Sequence, residues 1–91
     1  MTIHELIDAE CEDIKSMLIA KNKAYGNSFA EPIRIFSKVS AEEGLNLRID
    51  DKLSRLARGV ETDNVPEDTE EDLIGYLILK RVLRRAQTET I

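Results

Sequence analysis

One short stretch, LIAKNKAYGNSFAEP, carries side chains that suit a phosphate beside a flat aromatic group. The ammonium groups of Lys21 and Lys23 neutralise phosphate, and the ring of Tyr25 offers a face for stacking. The residues that follow are small, and their backbone N–H groups can face an anion where the chain turns; they are Gly26, Asn27 and Ser28. The alternative, which spacing alone favours, is a glycine-terminated helix with surface lysines and a core tyrosine.

Three charged residues stand on helix faces that are otherwise apolar. At about 100° per residue, Glu10 and Lys21 point along the middle of the apolar stripe of the first predicted helix, and Asp72 lies near the centre of the last helix's apolar face. Burying an unpaired charge is costly, so each side chain is expected to find a partner or to line a cavity. Alternatively, Glu10 and Lys21 lie at the edge of a small bundle, and Asp72 complements the dipole of a helix start.

Sparse glycine and apolar residues at helical spacing predict an all-α domain of about four helices over residues 1–91. The first helix is predicted from Ile3 to Tyr25, because Thr2 and Glu5 form a capping box and Gly26 can end the helix.

Three further helices complete the predicted bundle. The second covers Glu31 to Val39, and the third covers Arg48 to Val60 after a turn at Gly44 and Asn46. The polar segment ETDNVPED is predicted to be the longest loop, and the last helix runs from Asp68 or Thr69 to about Gln87.

Composition bounds the possible functions. Ninety-one residues, 42% apolar and 34% charged, suit one globular domain with a modest core. The chain shows no signal-peptide pattern and no apolar run near the length of about 18 residues that spans a membrane, so a cytoplasmic protein without a membrane partner is expected. A net charge of −5 argues against nucleic acid as a partner but not against small phosphorylated ligands. Apolar helix faces that one small core does not cover predict a homo-oligomer.

Two smaller features have simple structural interpretations. The lone cysteine, Cys11, cannot form an internal disulfide, lies near the apolar stripe and is predicted to be a core residue. The basic run KRVLRR, Lys80 to Arg85, suits a solvated helix end better than a contact with nucleic acid, because the helix dipole favours cations there.

Four motifs resemble, in the right order, the first nucleotide-modification-associated domain family of phage and prophage proteins; they are KNKAYGNSF, FSKV, LRIDDKLSRL and EDTEEDLIGYLIL. The resemblance covers roughly Ile14 to Leu79. It implies a small helical protein in the cytoplasm of a bacterial host, with a link to nucleotide metabolism or hypermodified bases. The family is similar in turn to all-α nucleoside triphosphate pyrophosphohydrolases, which use carboxylates on two helices to hold Mg²⁺.

Carried over residue by residue, the resemblance singles out positions in three motifs. In the first they are Lys21, Lys23, Tyr25, Gly26, Asn27 and Ser28. In the middle motif they are Arg48, Asp51, Lys52 and Arg55, and in the last Glu67, Asp72, Gly75 and Tyr76. Two departures stand out: Ala24 replaces the family's common acidic residue, and no Glu-x-x-Glu pair is evident where Asp51 and Arg55 stand. Both departures weaken the case for metal-dependent hydrolysis more than the case for nucleotide binding.

Three functions remain open at this point. The first is the binding or sequestration of a phosphate-bearing nucleotide or nucleotide-derived signal, with lysines and arginines on phosphate and Tyr25 or Tyr76 on the base. The ligand residues expected for it are Lys21, Lys23, Tyr25, Gly26, Asn27, Ser28, Arg48, Lys52, Arg55 and Tyr76. The second is a Mg²⁺-dependent pyrophosphohydrolase, with metal held by Glu10, Asp51, Glu67 and Asp72. The third is a helical interaction module.

Overall fold

A computed structural model describes residues 1–59 and 68–89 of the chain, which form three helices and no strand. Helix α1 spans Ile3–Tyr25, α2 spans Ala41–Arg58 and α3 spans Thr69–Glu89. The all-α class is therefore confirmed, whereas the described residues contain three of the four predicted helices. Val60, the predicted end of the third helix, and most of the predicted ETDNVPED loop lie outside the described residues.

Helix α1 begins and ends at the predicted residues. The hydroxyl oxygen of Thr2 accepts the Glu5 N–H at 3.1 Å, and the Glu5 carboxylate accepts the Thr2 N–H at 3.2 Å, which completes the capping box. Gly26 ends the helix in the left-handed conformation at φ 59°, which costs glycine little. Both ends depend on neighbouring residues only, and this is why the sequence pattern located them.

Helix α2 begins at Ala41, well before the predicted start at Arg48, so the predicted turn at Gly44 and Asn46 is wrong. The Ser40 hydroxyl caps the helix by accepting the Glu43 N–H at 3.1 Å. Glutamates in the first turn add to this start by complementing the helix dipole. Together these contributions outweigh the cost of about 1 kcal/mol for one glycine inside a helix.

The predicted helix from Glu31 to Val39 is also wrong, because residues 31–39 are not helical. Pro32 disfavours the helical conformation at the residue before it, and branching at Cβ lowers the helix propensity of Ile33 and Ile35. Arg34 lies in the left-handed region at φ 57°, where it interrupts any helix. Residues 26–40 instead form a long connection between α1 and α2.

Helix α3 packs against both of the other helices. Towards α1, the Lys21 ammonium contacts Asp72 at 3.4 Å, and a Cβ placed on Gly75 would lie 3.0 Å from a methyl group of Leu18. Residue numbers therefore fall along α1 as they rise along α3, and the two helices are antiparallel.

The same direction holds on the other side of α3. Lys52 contacts Asp72 at 3.2 Å, and the Arg48 guanidinium lies over the Tyr76 ring, so α2 is antiparallel to α3 as well. Helices α1 and α2 are consequently parallel. The connection 26–40 must return the chain from one end of α3 to the other. Extended backbone can cover this distance because it spans more length per residue than a helix does.

The core of the described residues is small. The buried apolar side chains are Ile14, Leu45 and Leu83, one from each helix, and no large side chain is fully enclosed. Lys52 is the buried charged residue, at 6% exposed. No helix in the described part of the chain has the length and apolar character needed to cross a bilayer.

Candidate functional site

Asp72 lies where the three helices meet. Its carboxylate oxygens face two ammonium groups, with Oδ1 3.4 Å from Lys21 Nζ on α1 and Oδ2 3.2 Å from Lys52 Nζ on α2. The Asp72 side chain is only 18% exposed, so the inward position predicted for it is confirmed. Lys21 also has a partner, as its place on an apolar face predicted, although its side chain remains half exposed. A half-buried carboxylate between two cations is a satisfied arrangement.

Lys52 is the site residue that the helical projection misplaced. The projection put it beside the apolar stripe of the predicted third helix, yet its side chain is 8% exposed. The buried face of α2 carries Leu45 and Lys52, seven positions apart, while Leu53 and Leu56 are about half exposed. The family resemblance singles out Lys52, but hydrophobic periodicity alone gives no sign of its burial.

Arg48 and Tyr76 form a second contact between α2 and α3. The guanidinium carbon lies 5.9 Å from the centroid of the tyrosine ring, within the range of a cation–π interaction. Arg48 is one helical turn before Lys52, and Tyr76 is one turn after Asp72. The two contacts therefore follow each other along the same α2–α3 interface.

A cavity of about 100 Å³ opens between α1 and α3 beside these contacts. Its charged and aromatic lining residues are Lys21, Arg48, Asp72, Tyr25 and Tyr76, whereas Lys52, which contacts Asp72, does not line it. Leu18, Phe29 and Leu79 supply an apolar wall. Charged groups, aromatic rings and an apolar wall in one depression are the features of a small-molecule site.

The end of α1 contributes only in part as expected. Tyr25 is 68% exposed, so the alternative interpretation of this stretch, in which Tyr25 is a core residue, is wrong. Ser28 lines the cavity. The Ser28 N–H donates to the Tyr25 carbonyl at 3.3 Å and is therefore engaged within the turn. Gly26 and Asn27 hold the turn in left-handed conformations and do not line the cavity.

Other predicted residues lie elsewhere. Lys23 and Asn27 line a separate groove on the outer side of the α1–α3 pair, and Arg55 pairs with Asp51 along α2 at 3.3 Å. Glu10 is exposed and lines the same groove, so its predicted inward position is wrong. Cys11 is also exposed, which corrects its predicted place in the core. Glu67 lies outside the described residues.

The three predicted Mg²⁺ ligands that the structure describes each lie in a different setting. Asp72 already faces two lysines, Asp51 faces an arginine, and Glu10 borders an apolar groove. No group of three potential ligands from His, Cys, Asp and Glu forms within residues 1–59 and 68–89. A divalent cation at Asp72 would be repelled by both ammonium groups.

The charge of the site differs in sign from that of the chain. Lys21, Arg48 and Lys52 contribute three positive charges and Asp72 one negative, which leaves +2 within a chain of net charge −5. Local charge of this sign attracts small anions. By contrast, Arg81, Arg84 and Arg85 of the basic run are exposed, as the solvated helix end predicted.

Comparison with protein-family models, curated proteins and solved structures finds no match to this chain.

Proposed function

We propose that this protein binds a phosphate-bearing nucleotide or nucleotide-derived signal in the cavity between α1 and α3. The observation that carries the proposal is the meeting of Lys21 and Lys52, from two different helices, on Asp72 beside Tyr76 and Arg48. Lys21, Arg48 and two tyrosines line one small cavity, and Lys52 adds positive charge nearby through its contact with Asp72. These groups match the two chemical parts of a nucleotide, an anionic phosphate and a flat base.

Asp72 prepares the site for phosphate. By pairing with Lys21, the carboxylate keeps that ammonium group at the cavity, so less side-chain entropy is lost when the ligand binds. Lys21 is the more exposed of the two, at 54% against 8%, and is the one positioned to contact a phosphate oxygen directly. Lys52 then serves chiefly to hold Asp72 and to add positive charge.

The size of the cavity determines how much of the ligand it can hold. Its volume of about 100 Å³ is below the ~300 Å³ at which pockets for whole small molecules begin. One part of the nucleotide therefore enters the cavity, and the rest lies across its mouth. Tyr25, with 68% of its surface exposed, offers a ring face at that mouth for a stacked base.

The charges around Asp72 favour nucleotide binding without metal-dependent hydrolysis. The carboxylate best placed for a metal, Asp72, faces two ammonium groups, which oppose a further cation. The family resemblance supports the wider setting, a cytoplasmic phage or prophage protein concerned with nucleotides. The exposed apolar helix faces support a chain that works as a homo-oligomer.

A nucleotide panel tests this proposal. Thermal unfolding is measured with mononucleotides, nucleoside triphosphates and cyclic nucleotides, each with and without Mg²⁺. A ligand at 100 times its dissociation constant adds about 2.7 kcal/mol to the free energy of unfolding, which raises Tm clearly. The expected result is a rise in Tm that does not need Mg²⁺. No rise with any nucleotide would refute the proposal, and a rise together with Mg²⁺-dependent pyrophosphate release would favour the enzyme instead.

A further inference from the structure

A long apolar groove runs along the outer side of the α1–α3 pair. Its volume is about 830 Å³, far larger than the cavity, and its walls carry Ile19 from α1 and Ile74, Ile78 and Val82 from α3. These four side chains are between 37% and 49% exposed. Several apolar side chains in one continuous depression form the kind of surface that marks an interaction site.

The N-terminal half of helix α1, which leads into this groove at Glu10 and Cys11, is not packed against the rest of the described chain. Residues 1–13 are all exposed, including the apolar Ile3, Leu6 and Ile7, and the first buried residue of α1 is Ile14. A helical segment without tertiary packing is only marginally stable in water, even when its N-terminus is well capped. The N-terminal half of α1 therefore lacks, within one chain, the contacts that normally stabilise a helix.

The described helices leave much apolar surface uncovered. Helices α1 and α3 carry eight large aliphatic residues that are each more than a third exposed; they are Ile3, Leu6, Ile7, Ile19, Ile74, Leu77, Ile78 and Val82. Exposed apolar surface of this kind marks protein–protein interfaces, because burying it against a partner removes it from water.

The charges of the groove identify a suitable occupant. Its charged residues are Glu10, Lys15, Lys23 and Glu31, two of each sign, so the groove carries no net charge. Two copies of a chain with net charge −5 can meet here without the repulsion that their overall charges would cause elsewhere. In a two-fold symmetric interface the same surface of both chains meets, and charges of both signs on it allow opposite charges to pair across the axis.

We propose that a second copy of this chain covers the α1–α3 groove and buries the exposed half of α1. This inference rests on the self-association included in the proposed function and assigns it a surface. It also connects the two sites, because Leu18, Asn22, Phe29 and Leu79 line both the groove and the cavity. The second copy thus packs against the outer side of the cavity wall, and association stabilises that wall.

Sedimentation velocity tests the surface with one pair of variants. Ile78→Glu places a charge in the groove, whereas Leu53→Glu makes the same change at a similarly exposed position on α2, outside the groove. The wild type and Leu53→Glu are expected to sediment as dimers, with twice the chain mass of 10.3 kDa, and Ile78→Glu is expected to sediment as a monomer of 10.3 kDa. A monomeric wild type at tens of micromolar would overturn the self-association. If the wild type and Ile78→Glu were both dimers, the groove would be ruled out as the interface, while self-association itself would stand. Nucleotide binding is measured separately by thermal unfolding, so its failure is distinguishable from either result.

The thiol of Cys11 gives a second measurement on the unmodified chain, which covers the case in which Ile78→Glu does not fold. Cys11 lines the groove and is exposed in the single chain. Its reaction with a thiol reagent is therefore expected to be slow in concentrated protein and to become faster on dilution. A fast rate that does not change with protein concentration would overturn the proposed interface.

Discussion

Lys52 Nζ lies 3.2 Å from Asp72 Oδ2, and this pair joins α2 to α3 in the least exposed polar part of the described structure. The two side chains are 8% and 18% exposed. A second ion pair, Lys15 with Glu12 on α1, is shorter at 2.6 Å, but its side chains are more than half exposed. Exposure rather than distance should decide which ion pair contributes more to the free energy of unfolding, because water screens the exposed charges.

Double-mutant cycles test this comparison. Lys52→Met and Asp72→Leu are each expected to lower the free energy of unfolding by about 1 to 3 kcal/mol, since each leaves a charge in a poorly solvated place. The double variant should lose less than the sum, with a coupling of at least about 1 kcal/mol. The matched cycle at Glu12 and Lys15 should give a coupling of about 0.5 kcal/mol or less. Equal couplings in urea unfolding would contradict the role given to burial.

Lys21 and Lys23 form a matched pair for ligand binding. Lys21 lines the cavity and contacts Asp72, whereas Lys23, two residues on, lines the groove. Lys21→Ala should weaken nucleotide binding by about 1 to 3 kcal/mol through the loss of a charged hydrogen bond. Because this side chain is half exposed, stability without ligand should change by no more than about 0.5 kcal/mol. Lys23→Ala should leave nucleotide affinity unchanged in titration calorimetry. Equal losses of affinity in the two variants would show that the ligand responds to the net charge of this region and not to a contact with Lys21.

The ring of Tyr25 is expected to stack on the base. Tyr25→Leu should weaken binding by about 1 to 3 kcal/mol, the usual size of a lost stack, and Tyr25→Phe should keep most of the affinity. With 68% of the residue exposed, neither change should cost much stability. If calorimetry gave the same affinity for Tyr25→Leu and the wild type, the base would have to lie elsewhere, with Tyr76 the next ring to test.

Two helical glycines should respond differently to alanine. A Cβ placed on Gly44 in α2 would meet no heavy atom within 4 Å, so Gly44→Ala should stabilise the protein by helix propensity alone, an effect of about 0.5 to 1 kcal/mol. At Gly75 the new methyl group would lie 3.0 Å from Leu18 Cδ2 and would push against α1. Gly75→Ala should therefore gain less, or lose stability. Thermal unfolding of both variants would show this order, and a larger gain at Gly75 would contradict the close packing of α1 on α3.

The sequence predicts best those features that depend on neighbouring residues. The ends of α1, the start of α3 and the inward position of Asp72 follow from caps and helical projection. The predicted start of α2 is wrong because the Ser40 cap outweighs the helix-breaking tendency of Gly44. The burial of Lys52 could not be predicted, since it depends on which face of α2 meets α3, and that contact joins residues far apart in sequence.

The arrangement of both helices on α3 also bears on the order in which the chain folds. The pair Lys52–Asp72 closes a loop of 20 residues between α2 and α3, whereas Lys21–Asp72 closes one of 51 residues. The longer loop costs roughly 0.8 kcal/mol more in closure entropy. The α2–α3 hairpin should therefore form first and α1 should dock onto it afterwards. By the same reasoning, the backbone amides in the first turns of α1 should exchange with solvent deuterium soonest, because that half of the helix can open without disturbing the hairpin.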